Sequence, residues 1–274
     1  MRRLLILAGW ISIAAQVLFT HLAGAAELRL AVTTSFHNSG LSDVLLPQIK
    51  EELNLDVRLL IVGTGQALKL GRAGDVDAIL VHSRAAEEKF VSEGFGTHRR
   101  EIMYNDFVLV GPSNDPASVR GMANVAQALK AIKQQQSVFV SRGDDSGTHR
   151  KEKAIWRSAG LTAEGFGSNW YRAVGSGMGA TLNTASAMNA YVLADRASWL
   201  KFKNKGDLQL LFAGDPVLFN QYAYLPISAD IHEHVNIQAA LALESWLVSE
   251  TGQGLIADYK IGQERLFTPN AKVN

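Results

Sequence analysis

Apolar residues recur along this chain in two alternating patterns. Short β-rich runs, Leu28-Arg29-Leu30-Ala31-Val32, residues 56–62 (DVRLLIV) and residues 76–81 (VDAILV), are separated by amphipathic stretches over roughly 39–52, 66–73 and 85–93. Strand then helix, repeated, predicts a parallel sheet covered on its faces. Another apolar run, 106–111 (DFVLVG), stops at Pro112-Ser113-Asn114-Asp115-Pro116, a turn-forming cluster expected to mark the first passage between lobes. The pattern then restarts. Helices are expected near 122–135, 146–158 and 181–190, with a strand at 137–140 and a polar turn at 201–207. Strands at 208–212 and 222–227 follow, the second a return crossing, and helices near 236–249 and 253–259 close the chain. The expected fold class is therefore α/β in two discontinuous lobes: lobe I from 27–107 and 225–274, lobe II from 108–224. No internal repeat or low-complexity tract interrupts it.

The first residues read differently. Met1-Arg2-Arg3 precedes an apolar stretch from Leu4 to Phe19 and then Ala23-Gly24-Ala25-Ala26, the basic, greasy and small-residue order of a secretory signal peptide over 1–26. A membrane anchor is the alternative, but the stretch falls near the lower end of the ~17–25 residues a span requires. No cysteine stands at the cut to carry a lipid, so the mature chain is expected in the periplasm.

Of 274 residues, 47% are hydrophobic and 19% charged, and none is cysteine, which excludes a disordered tail, a disulfide-stapled miniprotein and a cysteine-ligated metal centre. Without Arg2 and Arg3 the chain has 25 basic against 26 acidic residues, and no Lys/Arg run reaches five. Nucleic acid is not an expected partner.

Chemistry concentrates at the strand ends. The first strand runs into Thr33-Thr34-Ser35-Phe36-His37-Asn38-Ser39-Gly40, the second into Gly63-Thr64-Gly65-Gln66, the third into His82-Ser83, and the strand at 137–140 into Ser141-Arg142-Gly143-Asp144-Asp145-Ser146-Gly147-Thr148-His149. In open α/β sheets ligands lie beyond the carboxyl ends of the strands, where helix N-termini present unpaired N–H groups to an anion. Ser and Thr add hydroxyl donors, glycine admits close backbone approach, and Arg142 brings a fixed positive charge. Any one such loop is more often an ordinary helix cap. Four in succession point to an oxyanion cage, with Asp144 and Asp145 read as capping and orienting groups facing away from the anion, one of them holding Arg142.

Other signals are weaker. Gly63-Thr64-Gly65 and Gly175-Ser176-Gly177-Met178-Gly179 complete no nucleotide-binding motif. Ser146 with His149 leaves an exported serine hydrolase open as an alternative. His232-Glu233-His234, Arg99-Arg100, Arg150-Lys151 and the lysines of 201–205 are read as solvated surface, with no metal and no cofactor expected.

Several of these runs together resemble the periplasmic tungstate-binding proteins of ABC transporters, relatives of the molybdate and phosphate receptors. The similarity is carried by Thr33-Thr34-Ser35, Asn38-Ser39-Gly40-Leu41, VGTGQALKLG from Val62, GDVDAILVH from Gly74, YNDFVLVGP from Tyr104, SRGDDSGTH from Ser141 and GMGATLNTA from Gly177. The family's first motif carries three threonines before the serine; here Val32 replaces the first. Related phosphate receptors share the Arg-x-x-x-Ser-Gly-Thr arrangement but keep an acidic side chain after the third strand, where this chain has Val81-His82-Ser83. With no carboxylate to accept a ligand proton, a fully deprotonated tetrahedral dianion is favoured. The resemblance implies a type II periplasmic binding protein, two α/β lobes on a two-segment hinge with the ligand cleft between them. It further implies a monomeric receptor that hands tungstate to a membrane permease, with molybdate, sulfate or phosphate as the alternative ligands. The implied contacts are Thr33, Thr34, Ser35, Thr64 and Ser83 from lobe I and Arg142, Ser146, Gly147 and Thr148 from lobe II.

Overall fold

The computed structural model describes residues 25–144 and 146–272; the leader expected over 1–26 and the expectation for Asp145 lie almost wholly outside them. In chain order the elements are β1 (Ala26–Thr33), α1 (Thr34–Ser39), α2 (Ser42–Leu53), β2 (Leu55–Val62), α3 (Thr64–Ala73), β3 (Ala78–Val81), α4 (Arg84–Ser92) and β4 (Arg100–Pro112). There follow α5 (Val125–Gln134), β5 (Phe139–Ser141), α6 (Gly147–Ser158), β6 (Tyr171–Ala173), α7 (Met178–Met188), β7 (Tyr191–Asp195), α8 (Arg196–Lys201) and β8 (Leu208–Phe212). The chain ends with β9 (Phe219–Pro226), α9 (Ile237–Leu247), α10 (Glu250–Asp258), β10 (Lys260–Ile261), β11 (Glu264–Arg265) and β12 (Thr268–Pro269). Among the described residues no helix is long and apolar enough to cross a membrane.

The strands pair in the order β2-β1-β3-β9-β4-β7-β5-β6, with β8 and β12 also on β4. β1 runs parallel to β2 and β3, and β5 parallel to β6 and β7, whereas β9 is antiparallel to both β3 and β4. β4 changes partner along its length. Its first part, Arg100 to Asp106, pairs with β9, and Phe107 to Val110 pairs with β7.

Side-chain alternation sorts the core into layers on either side of the sheet. From β1, Leu28, Leu30 and Val32 pack with Leu45, Ile49, Leu243 and Trp246, while Ala31 faces Ala67, Leu68, Phe90 and Ile227. From β4, Phe107 and Leu109 join Leu129, Ile132 and Trp156, while Val108 and Val110 face Met178, Leu182 and Trp199. Burial on both faces explains why these strands read as nearly continuous apolar runs.

The structure corrects several expectations. The helix over 39–52 is two, because Gly40 takes φ +84° and closes α1 in a left-handed cap. The strand at 106–111 is 13 residues long, its first half disguised by Arg100, Glu101, Asn105 and Asp106. β7 follows α7 after a left-handed cap at Asn189 and was not anticipated. Asp115, in the Pro112–Pro116 turn, accepts the N–H groups of Val119 and Arg120 and the Tyr191 hydroxyl. That turn is therefore a stop within the second half; β4 changes partner upstream, between Asp106 and Phe107.

Surface assignments change as well. Arg99 is mostly buried, paired with Glu87 at 2.7 Å and Glu101 at 2.8 Å. Arg100 pairs with Glu244. His232 and His234 bond the carbonyls of Arg72 and Gly74, each at 2.9 Å, so they close the end of α3 instead of facing only water. Lys201 donates to the Asn38 carbonyl and Lys205 lies 4.5 Å over the Trp199 ring.

Candidate functional site

The parallel register of β1, β2 and β3 brings their carboxyl ends to one edge, with Thr33 opposite Val62 and Val32 opposite Leu80. Thr33 ends β1 and caps α1, its Oγ1 accepting the Phe36 N–H at 3.3 Å. Ser35 Oγ lies 3.1 Å from Thr33 Oγ1, 3.2 Å from His82 Nε2 and 3.1 Å from the Tyr222 hydroxyl. A serine hydroxyl has one proton and two lone pairs, so Ser35 gives its proton to one partner at a time and can turn it from these neighbours to a ligand. Thr34 beside it is exposed.

Thr64 opens α3, whose cap Gly63 supplies no side-chain bond to the first turn. Ser83 sits at the start of α4; its N–H is taken by the Glu87 carboxylate and its hydroxyl makes no capping bond.

The second half contributes the β5–α6 turn. Gly143 takes φ +65°, and a Cβ there would stand 2.9 Å from that of Ala173, so the turn requires glycine. The Arg142 carbonyl accepts the Gly175 N–H at 2.8 Å, tying this turn to the loop that starts α7. Asp144 bonds the Arg142 guanidinium, from Nε at 3.1 Å and from Nη2, and accepts the Ser146 N–H at 3.2 Å through its other oxygen. The orienting role expected of an aspartate at Arg142 thus falls to Asp144. Burial works to raise its pKa, but the bonds from Ser146 and Arg142 outweigh it and hold the carboxyl below its usual range. Ser146 Oγ accepts the His149 backbone N–H at 3.3 Å and caps α6, whose first turn holds Gly147 and the buried Thr148.

The two groups of loops meet. A Cβ built on Gly147 would lie 3.4 Å from His82 Cε1, so α6 begins against the end of β3. Ser35 and Gly147 both approach His82, with Thr33 bonded to Ser35 and Ser83 next in the chain; Thr64 opens the helix after β2, and Arg142, Ser146 and Thr148 belong to the turn and first residues of α6.

Several residues near these loops were not assigned a role from sequence. The His82 ring lies 4.8 Å from that of Tyr222, tilted at 54°. Burial pushes its imidazole down to about 4, Lys151 adds to that by repulsion, and bonds to its own backbone and to Asn220 oppose it. Tyr222 is buried, its phenol pushed up to about 12, so it remains a proton donor. Asn220 donates to Asn105 Oδ1 at 2.9 Å beneath. Lys151, read as solvated, instead bonds the Val217 carbonyl at 2.9 Å and the Phe219 carbonyl at 3.4 Å, and burial lowers its pKa. In the sequence His82 was visible only within the His82-Ser83 strand end, and Lys151 only within Arg150-Lys151.

Chemically, the arrangement offers hydroxyls, exposed helix starts and two cations to a small anion. The bond between Ser146 and His149 is a helix cap donated by the backbone, not a nucleophile–imidazole pair.

Comparison with known proteins agrees with this architecture. A family model described as a PBP superfamily domain matches residues 20–251. The tungstate-binding protein TupA of Peptoclostridium acidaminophilum is 46% identical over 248 residues, 88% of this chain and 85% of its own length. Among solved structures, the tungstate-binding protein TupA from Desulfovibrio alaskensis G20 superposes with a TM-score of 0.86 at 43% identity, covering 90% of this chain and 100% of that one. The tungstate ABC transporter structure from Geobacter sulfurreducens gives 0.74 at 45% identity, covering 85% and 98%. The chain belongs to the PBP superfamily and, within it, to the family of the tungstate-binding proteins of ABC transporters.

Proposed function

We propose that this protein is the extracytoplasmic receptor of an ABC transporter, which captures tungstate as a tetrahedral dianion and delivers it to a membrane permease. The observation that carries this reading is the approach of Gly147 to His82, which sets the start of α6 and the Arg142 turn against the hydroxyl-rich ends of β1 and β3. Thr33, Thr34, Ser35, Thr64 and Ser83 would donate from one lobe (27–107 with 225–274) and Arg142, Ser146, Gly147 and Thr148 from the other (108–224). Contacts drawn from both lobes are complete only when the lobes are closed, so the anion favours closure about the strands that pass between them. A leader over 1–26 would export a chain that works as a monomer in the periplasm.

Two features support the choice of ligand. The relatives above are named for tungstate, and the residues that follow β3, His82 and Ser83, bring no carboxylate of their own, while the Glu87 carboxylate beside them is engaged by the Ser83 N–H and by Arg99. Calorimetry with tungstate, molybdate, sulfate and phosphate tests it: tungstate is expected to bind tightest, and a preference for phosphate would overturn the reading. Arg142→Ala is expected to weaken tungstate binding by roughly 10- to 100-fold, the worth of one charge-assisted contact, with the thermal unfolding curve unchanged. Ester hydrolysis abolished by Ser146→Ala would favour a hydrolase instead.

A further inference from the structure

The charges facing the pocket do not balance a dianion through Arg142. Its guanidinium is already bonded to Asp144, so that pair is formally neutral, and Asp144 also occupies the Ser146 N–H. His82 is neutral near physiological pH. A second cation stands close by. Lys151 lies four residues beyond Gly147, the spacing that stacks two side chains on one face of a helix, and Gly147 is the residue that abuts His82. Its partners are the carbonyls of Val217 and Phe219, which orient the ammonium without cancelling its charge, and the ammonium lies 5.8 Å from the centre of the Phe107 ring. Among the described residues no carboxylate pairs with it.

Resting on the tungstate reading above, we infer that Lys151 is the charge-compensating residue of this site and sets its preference for doubly over singly charged tetrahedral oxyanions. Coulomb energy is linear in the ligand's charge, so removing one fixed cation weakens a dianion by the square of the factor it costs a monoanion. Lys151 is half-buried, so its field is less screened than that of a fully exposed cation. The groups packed against His82 are Ser35, Tyr222 and Gly147, all uncharged at neutral pH, and Lys151 is the one cation that acts on its titration.

The test compares Lys151→Met, Lys151→Gln and Lys151→Arg in the full-length mature protein. Calorimetry is run with tungstate and with perrhenate, a tetrahedral monoanion. Both neutral variants are expected to lose about tenfold in tungstate affinity but only about threefold for perrhenate, and Lys151→Arg to retain the parent's ratio. In ligand-free protein, the His82 pKa followed by NMR is expected to rise in both neutral variants and stay low in Lys151→Arg. Equal losses for the two anions, or no loss, would overturn the inference, as would an unmoved His82 titration. Lys151→Gln keeps a donor for the two carbonyls should Lys151→Met fold poorly. A parent protein that takes up no tungstate would overturn the functional reading instead, while the His82 titration would still decide whether the charge of Lys151 reaches the pocket.

Discussion

Glu152 shows how one buried side chain couples the site's helix to pH. It lies on α6 four residues past Thr148, accepts the Tyr171 hydroxyl at 2.7 Å and the Trp156 indole N–H at 3.2 Å, and is almost wholly buried. Burial raises its pKa to about 7, and the bonds from Tyr171 and its other donors only partly offset that. Between the ordinary carboxyl value near 4.5 and about 7, the folded protein holds more protons than the unfolded chain. Stability therefore falls as pH rises through that window, by about 3 kcal/mol in all. Glu152→Gln removes this slope. Urea unfolding at pH 5 and pH 8 is expected to show the variant gaining about 3 kcal/mol on the parent between the two. His82, with its pKa lowered, contributes an opposite slope below pH 6.5, equal in both proteins and absent from the difference. Residue by residue, the hydroxyl-rich loops of the candidate site were legible because Ser, Thr and Gly crowd the strand ends, and their role as anion contacts is proposed. Lys151 was not, because its burial is made by carbonyls 66 and 68 positions away and its sequence neighbour is another cation.

At the level of elements, α3 illustrates how packing sets the position of a candidate ligand loop. Gly71 lets this helix lie against Phe90 and Ile227; a Cβ there would stand 2.8 Å and 2.9 Å from their side chains. Gly71→Ala is expected to destabilise by about 1–3 kcal/mol through overpacking, offset by up to about 1 kcal/mol of helix propensity. Urea unfolding gives the net value, and tungstate affinity should fall with it because Thr64 rides on the same helix. The strands and helices around this site follow from periodicity, which is why β1 to β3 and α3 to α6 were legible within a few residues. Where local and long-range requirements part, the pattern misleads. The first half of β4 carries charges that find their partners on other elements, Arg100 with Glu244 and Asp106 with Arg196, and β7 is five residues with no alternation because both its faces are covered.

For the molecule as a whole, binding and stability are linked. If tungstate binds only the folded form, a concentration 100 times its Kd adds about 2.7 kcal/mol to unfolding. For a chain of this size the melting temperature should then rise by several degrees. Sulfate at the same concentration should leave it nearly unmoved, which differential scanning fluorimetry can check. The layered α/β architecture was legible from the alternation of elements, whereas the insertion of β9 between β3 and β4 was not, since nothing local specifies a pairing across some 140 positions. That insertion governs the order in which the protein can be made. A nascent chain that has not yet produced Phe219 leaves two open strand edges facing each other across a missing strand, a template for mispairing with its neighbours. The first-synthesised half thus waits for the later one before its sheet can close.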